Sequence, residues 1–325
     1  MSKQNTYKAA IIGAGRIASG YDSLESPKIL THAHAYKKHG NVELLGFYDT
    51  DAGKAEQAAK KWSAGFFGDL IELDAAAPEI ISVCVPDGEH SGVLKKIAGF
   101  KNKPKIVICE KPITAEIKDT EEVIKLYEDK KIPLLIDHTQ RFNPTAREAA
   151  EKIKNGEYGK VVCASAVYSN GVLHGGTHVL DLARYFFGEV ESFKVLYKIK
   201  DREGEDMTVG AFLEFENCPQ FYFMTDDERN YSYSRFDIVC EKGRVSFPDF
   251  WFTLTEQKVV SDPVYKGDRI LSEPIIQKTK FDEALLYLIS NAINHIESGE
   301  ALLSSGEDAA KTQKACHDLL NEALK

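Results

Sequence analysis

Short apolar runs alternate with polar, helix-length stretches over the first 137 residues of the chain. The apolar runs occupy residues 9–12, 42–48, 80–85, 106–109 and 134–136. The polar stretches long enough for crossover helices occupy residues 52–62, 92–100 and 119–130. Runs this apolar are typical of strands covered on both faces, and strands that alternate with helices form a parallel sheet. The pattern therefore predicts an α/β domain with a doubly wound parallel sheet over residues 1–137.

The pattern changes beyond Arg141. Helical stretches at 144–154 and 177–187 flank an apolar run at 161–168, and two further helical stretches, 281–297 and 306–324, end the chain. Between them, closely spaced alternating runs occupy residues 193–199, 208–215, 220–224, 236–239 and 251–255. Such runs, joined by turns, indicate antiparallel strands. We therefore predict an α+β domain with a largely antiparallel, open sheet over residues 138–325.

The first apolar run ends in a glycine turn, Gly13-Ala14-Gly15-Arg16-Ile17-Ala18. Gly13 permits a tight bend, Gly15 lets the backbone approach a phosphate, and Ala18 lets a following helix lie close to the strand. A helix that starts here directs backbone N–H groups at a pyrophosphate. The turn predicts a Rossmann domain that contacts a dinucleotide through Gly13, Gly15, Arg16 and Ile17. The alternative is a glycine turn in a flavodoxin-like sheet without a dinucleotide.

Asp49 ends the second apolar run. Its carboxylate would accept the ribose hydroxyls of NAD and repel the 2′-phosphate of NADP, so NAD is the predicted cofactor. The acid normally lies about 20 residues beyond the glycines, and Asp49 lies farther. Residues 20–30, which are polar and contain a proline, are therefore predicted to be an insertion that forms a loop over the cofactor. Asp22 is nearer in sequence but does not end an apolar run, which favours Asp49.

Composition and charge narrow the class of protein. At 325 residues the chain exceeds the usual size of one hydrophobic core, which supports two domains. The net charge of −9, with acids and bases interspersed, offers no basic stripe for nucleic acid and no polybasic patch for a membrane. The segment from Met1 to Lys8 lacks the apolar core of a signal peptide, and the six cysteines include no C-x-x-C pair. We therefore expect a cytoplasmic protein with reduced thiols.

Two predicted strand ends carry candidate chemistry. Pro86 and His90 follow the third apolar run, and Glu110 and Lys111 follow the fourth. The carboxyl ends of parallel strands face the ligand crevice, so these four residues are predicted cofactor contacts. Lys111 could also donate a proton to a carbonyl or hold a substrate hydroxyl. The alternative for Lys111 is a solvated lysine that merely ends a strand.

Residues 170–185 contain a second cluster, in which Gly175 and Gly176 precede a helix. On that helix His178 and Asp181 stand three residues apart on one face, so the imidazole can shuttle a proton while the carboxylate fixes its tautomer. A metal site made of His174, His178 and Asp181 is disfavoured, because glycines interrupt the ligand face and no third strong ligand has motif spacing. No metal is predicted, and a cap-and-core role for His178 is the structural alternative.

Taken together, these features resemble the Gfo/Idh/MocA oxidoreductases, the glucose-fructose oxidoreductase and inositol dehydrogenase group. The landmarks occur in order along nearly the whole chain: the glycine turn, Asp49, Pro86 with His90, Glu110-Lys111-Pro112, Arg141-Phe142-Asn143-Pro144, and Gly175-Gly176 before His178-Val179-Leu180-Asp181. The resemblance implies that Lys111 binds substrate and assists proton transfer, that Pro112 follows a cis peptide, and that His178 is the acid/base. It also implies that the open sheet of the second domain forms the substrate floor and the interface of a homodimer or homotetramer.

Arg141, His174, Thr177 and Asp181 complete the predicted substrate contacts beside Lys111 and His178. Sugar and inositol dehydrogenases of the group commonly have an aspartate where this chain has His174, and an imidazole cannot supply that negative charge. The leading hypothesis is an NAD-dependent dehydrogenase of a secondary alcohol in a sugar, sugar derivative or cyclitol. Two alternatives stay open: transient reduction of NAD during lyase, hydrolase or epimerase chemistry, and a non-catalytic sensor of dinucleotide or sugar. Free, phosphorylated and nucleotide-linked sugars all fit.

Overall fold

The structure is a computed structural model that describes residues 6–325. The chain folds into two compact units: the first contains the chain up to Phe142 together with Asp282–Ala310, and the second contains Asn143–Phe281 and Lys311–Lys325. Residues 1–5 lie outside the described residues. They make up most of the segment, Met1 to Lys8, in which no signal peptide is predicted.

The first unit is built on a six-stranded parallel sheet with the strand order β3-β2-β1-β4-β5-β6. Its strands are β1 (Tyr7–Ile12), β2 (Val42–Tyr48), β3 (Gly65–Phe66), β4 (Ile80–Val83), β5 (Ile106–Glu110) and β6 (Leu134–Asp137). Its first five helices are α1 (His32–Lys38), α2 (Ala52–Trp62), α3 (Leu70–Ala75), α4 (His90–Ile97) and α5 (Ile117–Lys130). This order and direction are those of a doubly wound Rossmann sheet, so the predicted fold class is confirmed for this unit.

Local sequence explains these elements. The residues of β4 are all buried, as expected for a central strand with helices on both faces. The Asp51 carboxylate caps α2 by accepting hydrogen bonds from the backbone N–H groups of Gly53 and Lys54. The buried face of α2 ends in Trp62, whose indole N–H donates to the Ser19 carbonyl at 3.0 Å. The second crossover is thereby attached to the segment that follows the glycine turn.

The segment after the glycine turn differs from a usual first crossover helix. A single helical turn, Arg16–Gly20, is followed by a loop, and α1 starts only at His32. The loop is anchored by the buried Asp22, whose carboxylate accepts from the Leu30 N–H at 2.6 Å and lies 2.7 Å from His34 Nδ1. Residues 20–30 therefore interrupt the helix as a tethered loop, whereas their predicted place over the cofactor stays a prediction.

The second unit is built on a nine-stranded sheet in the order β14-β13-β12-β11-β7-β10-β9-β8, with β15 paired to β13. Its strands are β7 (Val161–Tyr168), β8 (Val190–Ile199), β9 (Thr208–Phe215), β10 (Cys218–Thr225), β11 (Arg235–Cys240), β12 (Gly243–Phe247), β13 (Thr253–Ser261), β14 (Arg269–Leu271) and β15 (Ile275–Lys278). Only β7 and β10 pair in parallel within the described residues. The predicted α+β fold with a largely antiparallel sheet is therefore confirmed.

One face of this sheet forms a core and the other stays open. The helices α6 (Pro144–Lys154) and α7 (Thr177–Phe187) supply buried residues to the same core as the sheet. Along β10, the rings of Phe221 and Phe223 are buried in that core, while Tyr222 and Met224 point the other way and are exposed. This alternation is that of an antiparallel sheet with one covered face.

The helix α8 (Ala284–Ser298) returns to the first unit, and α9 (Gly306–Leu324) starts there. The predicted second domain, 138–325, includes both helices, so the structure differs from that division over residues 282–310. The backbone gives the reason, because the Ile29 N–H donates to the Asp282 carbonyl and the Ile136 N–H donates to the Ser304 carbonyl, each at 2.8 Å. An apolar helix face predicts burial but does not specify which sheet it covers.

Two further findings concern the whole described chain. Across residues 6–325, no helix is both long enough and apolar enough to cross a bilayer. The six cysteines are free thiols, and five of them are buried.

A prediction on acid stability follows from Glu189 in the second unit. Arg184 donates to both Glu189 oxygens, at 2.9 and 2.8 Å, and Lys311 lies 3.1 Å from one of them. The Arg184 guanidinium, with Lys311, lowers the pKa of Glu189 from 4.5 to about 2. Because the pKa is lower in the folded state, the stabilisation is present above the unfolded pKa and is lost as pH falls through the folded one.

Replacing Glu189 by glutamine is therefore expected to lower the thermal unfolding midpoint near neutral pH. The difference from wild type should shrink as the pH falls from 4.5 towards 2. Unfolding followed by circular dichroism across this range measures it, with Glu191→Gln, at an exposed position, as the matched control. A midpoint difference that does not depend on pH would contradict the assignment.

Candidate active site

The two glycines of the turn after β1 have different environments. Gly13 has a φ of +96°, and a Cβ built on it would lie 2.5 Å from the Cys84 carbonyl oxygen. Its N–H donates to the Tyr48 carbonyl at 2.7 Å, so the turn is packed between the ends of β2 and β4. A Cβ on Gly15 would have no described atom within 4 Å. Gly13 is therefore required by the fold, whereas Gly15 borders open space.

This open space belongs to a cavity of about 840 Å³ within the first unit. The walls come from the glycine turn and from the ends of β2 and β4. Of the predicted cofactor residues, the walls include Gly13, Gly15, Arg16, Asp49 and Pro86. Ile17, His90, Glu110 and Lys111 lie outside this set of lining residues. Five of the predicted cofactor residues thus line one cavity, and the other four do not line it.

Asp49 is held where its carboxylate meets the glycine turn. One oxygen accepts from the Ala14 N–H at 2.8 Å, and the other accepts from the Asp51 N–H at 2.9 Å. Each carboxylate oxygen has a second lone pair, so both can also accept a hydroxyl. An open space before Gly15 with an acceptor pair on the same cavity wall fits the pyrophosphate and ribose of a dinucleotide.

His90 has a different role from the predicted cofactor contact. Its ring is buried, Nδ1 lies 2.7 Å from the Pro112 carbonyl, and Nε2 lies 2.9 Å from the Val85 carbonyl. Both ring nitrogens are thus occupied by the backbone. His90 therefore joins the turn after β4 to the turn after β5, and the prediction that it contacts the cofactor is corrected. A position at a strand end does not show whether a side chain faces the crevice or packs beneath it.

The turn after β5 carries Lys111. The Lys111–Pro112 peptide is cis, as the family resemblance implies. Lys111 is partly exposed, whereas the neighbouring Glu110 side chain is turned inward towards His32, with 3.1 Å between Glu110 Oε1 and His32 Nε2. The Glu110 carboxylate therefore faces His32, and the prediction that Glu110 contacts the cofactor is corrected.

His32 and Asp137 are site residues that the sequence analysis missed. Together with Glu110 they form a cluster in which one ligating atom from each side chain lies within 4.8 Å of the others. Asp137 ends β6, so the rule that selected Lys111 at the end of β5 could have found it. His32 starts α1, a helix for which no bounds were predicted, and its sequence pattern carries no separate signal.

In the second unit, the segment before α7 is packed by its glycines. A Cβ on Gly176 would lie 2.7 Å from the Tyr168 ring. The segment is held by the Val172 N–H, which donates to the Met207 carbonyl at 2.7 Å, and by the Leu173 N–H, which donates to the Asp206 carboxylate at 3.1 Å. This packing presents His174 as an exposed residue and His178 as a partly exposed one. Both histidines are accessible, as their predicted roles require.

Three other predicted substrate contacts are buried. Asp181 is fully buried and accepts a hydrogen bond from the Thr312 hydroxyl at 2.9 Å, and Thr177 is 5% exposed. In the first unit Arg141 is 4% exposed, forms an ion pair with Asp308, and donates to the Leu303 carbonyl at 2.9 Å. All three residues are buried, and Asp181 and Arg141 are also bound to other parts of the protein, so the prediction that these residues contact the substrate directly is corrected. The spacing that selected them also fits packing residues.

Comparisons with known proteins agree with this geometry. A model of the oxidoreductase family with an NAD-binding Rossmann fold matches residues 7–138, and a model of the GFO/IDH/MocA C-terminal domain matches residues 169–246. The myo-inositol 2-dehydrogenase of Thermotoga maritima is 26% identical over 324 residues, which cover 93% of this chain and 91% of that protein.

Other matches are partial or show the fold alone. An uncharacterized oxidoreductase of Schizosaccharomyces pombe is 29% identical over 129 residues, and the match spans about a third, 34%, of each chain. The crystal structure of an oxidoreductase from Agrobacterium radiobacter in complex with NAD+, L-tartaric acid and magnesium has a TM-score of 0.79 at 17% identity, covering 99% of this chain and 97% of that one.

The two family models fall on the two parts of the chain that carry the glycine turn and the segment with His174 and His178. The match to the first family model confirms the predicted NAD-binding Rossmann domain. The cavity at the turn offers the open space and the Asp49 acceptors that such a cofactor needs. The chain therefore belongs to the Gfo/Idh/MocA family of oxidoreductases, with an NAD-binding Rossmann domain.

Proposed function

We propose that this protein is an NAD-dependent dehydrogenase that oxidises a secondary alcohol of a sugar, sugar derivative or cyclitol. The observation that carries the proposal is the cavity in which open space before Gly15 lies beside the Asp49 carboxylate. Relatives named as inositol dehydrogenases support the substrate class.

The chain's own residues would handle the proton. NAD, when bound, supplies the acceptor for the hydride that leaves the carbinol carbon. We assign Lys111 to holding the substrate hydroxyl and His178 to accepting its proton, so that the alcohol loses one hydride and one proton and becomes a ketone. His174, exposed one turn before His178, is assigned to a hydrogen bond with the substrate. An imidazole near neutral pH suits this proton transfer.

Asp49 sets the preference for NAD over NADP in this proposal. Replacing Asp49 by alanine removes the acceptors for the ribose hydroxyls and the charge that repels a 2′-phosphate. The affinity for NAD is expected to fall roughly tenfold or more, which corresponds to about 1.4 kcal/mol, while that for NADP rises. Calorimetric titration with both dinucleotides measures the change in the two affinities. The control is Asp51→Ala, at the N-cap of α2. Unchanged preference would remove Asp49 from ribose recognition.

A substrate screen tests the reaction. Purified protein is mixed with NAD and a panel of polyols, free sugars, sugar phosphates and nucleotide sugars, and the absorbance of NADH and the products are followed. Stoichiometric NADH supports the proposal. Substrate conversion without accumulated NADH identifies transient redox chemistry instead, and binding without conversion identifies a sensor.

Assembly and compartment are part of the same proposal. The open face of the second unit's sheet exposes the apolar side chains of Tyr222, Met224 and Val239, and Phe212 contacts Tyr222 there with ring centroids 5.4 Å apart. Such a patch supports association of identical chains through this face, as a homodimer or homotetramer.

The free thiols support a reducing compartment, the cytoplasm.

A further inference from the structure

Two carboxylates end neighbouring strands at the turn that carries Lys111. Glu110 and Asp137 are register partners of the parallel strands β5 and β6, so their side chains leave the sheet on the same side. The Asp137 side chain is fully buried and that of Glu110 is 15% exposed. Burial and the charge of Asp137 raise the pKa of Glu110. Without a cation, two acids in this place could not both stay ionised.

His32 is the side chain that faces both acids. Its Nε2 lies 3.1 Å from Glu110 Oε1 and 3.5 Å from Asp137 Oδ2. On the other side, Nδ1 lies 3.0 Å from the Ser82 hydroxyl, which in turn lies 2.6 Å from the Tyr36 hydroxyl. The ring is therefore held from both sides: Nε2 is within hydrogen-bond distance of Glu110, and Asp137 Oδ2 lies slightly farther away, at ion-pair distance.

The charges around His32 favour the imidazolium form. Burial alone lowers the pKa of His32, but Cys84, Asp137 and Glu110 outweigh that effect and raise the pKa well above its usual value of 6.5. The Cys84 thiol is itself buried, and burial raises its pKa. Lys111 adds a positive charge close enough to lower the pKa of Glu110. His32 and Lys111 are thus the two basic side chains whose charges favour the ionised form of Glu110.

We propose that His32 is a positioning residue for Lys111, because it bridges the carboxylates of Glu110 and Asp137 and thereby fixes the turn in which Lys111 follows Glu110. The inference rests on the proposed function, in which Lys111 holds the substrate hydroxyl. Asp137 adds a second constraint, since its other oxygen accepts from the Thr139 hydroxyl at 2.9 Å and so joins the turn after β6 to the same cluster. Loss of the bridge leaves the Glu110 carboxyl group without its 3.1 Å contact to His32, so the turn that carries Lys111 is held less firmly.

The test uses the full-length protein and the variants His32→Leu and His32→Gln. The leucine variant removes the charge and both hydrogen bonds, and the glutamine variant keeps a hydrogen-bond donor without the charge. Turnover is expected to fall on the order of tenfold in His32→Leu and less in His32→Gln, while the affinity for NAD measured by calorimetry is unchanged. The pH profile of turnover should shift in both variants. Should the leucine variant fail to fold, the glutamine variant carries the comparison.

A second measurement does not depend on turnover. Acetic anhydride labels amines that are not protonated, and mass spectrometry gives the labelling rate of each lysine. Lys111 is expected to be labelled severalfold faster in both variants than in wild type, because the turn that carries it is no longer fixed and its amine becomes more accessible. Lys54, which lines the dinucleotide cavity, is the internal control and should be labelled at the wild-type rate.

The outcomes separate this inference from the proposed function. If no alcohol reduces NAD, the proposed function fails, while the labelling rate of Lys111 still tests the bridge. If turnover occurs but neither turnover nor the labelling of Lys111 changes in the variants, the role of His32 is overturned. A divalent metal found at one equivalent in the wild type and lost in His32→Leu would also overturn it, since the cluster would then be a metal site.

Discussion

Replacing Lys111 by alanine is expected to lower turnover at least about a hundredfold, the lower range for loss of a positioned acid or base. Binding of NAD should survive, because Lys111 lies outside the residues that line the dinucleotide cavity. The effect should appear in kcat, since the hydroxyl that Lys111 holds must be oriented as hydride and proton leave. Steady-state kinetics and calorimetry on the same preparation measure the two quantities.

The matched control is Lys118→Ala, an exposed lysine on α5. It removes an equal charge away from the strand end and should leave both quantities unchanged. Equal kcat in wild type and Lys111→Ala would exclude the lysine from the reaction. Loss of NAD binding in Lys111→Ala would instead place it in the cofactor site, which the sequence predicts and the cavity does not show.

Replacing Gly15 by alanine is expected to weaken NAD binding on the order of a hundredfold, or about 2.7 kcal/mol, without lowering stability. The added methyl group meets no described protein atom, yet it enters the space where the backbone must approach the pyrophosphate. Calorimetric titration gives the affinity, and the thermal unfolding midpoint of the free protein gives the stability.

Gly13→Ala, unlike Gly15→Ala, should lower the stability of the free protein. At a φ of +96° and with the Cys84 carbonyl 2.5 Å from the new atom, the substitution strains the backbone. Such strain costs roughly 1–3 kcal/mol, and the unfolding midpoint should fall. Gly92→Ala, on α4 with open space around it, is the control that should leave the affinity for NAD unchanged and should not lower the unfolding midpoint. A stable Gly15→Ala protein with wild-type affinity would show that NAD does not bind against this turn.

Elements with a clear amphipathic or buried pattern were predictable from sequence. The bounds predicted for α2, α6, α7, α9, β2, β7 and β9 agree with those observed, because each of these segments carries an amphipathic or a continuous apolar pattern over at least seven residues. Short elements were missed: β3 has two residues and β14 has three, too few to show a period. The strand β12 was missed as well, since only Glu241 and Lys242 separate it from β11.

The site was predictable in its local motifs and less so in its buried partners. The glycine turn and Asp49 meet in space as their spacing suggests, because a strand end and the next strand end are neighbours in a parallel sheet. His90, Asp181 and Arg141 were assigned to ligands, but each is occupied by groups distant in sequence, such as Pro112, Thr312 and Asp308. Such pairings depend on tertiary packing, which a single sequence does not reveal.

The return of residues 282–310 to the first unit means that neither half is one continuous stretch of chain. A fragment that stops at Phe142 would lack α8, whose buried side chains include Leu285, Leu288 and Ile289. The apolar surface that α8 covers in the first unit would then be exposed to solvent. A fragment that ends at Phe281 would lack the last turns of α9, including the buried Leu319. To express either unit alone, for crystallography or for fusion to another protein, its two chain segments must therefore be joined, so that each unit keeps its part of the C-terminal helices.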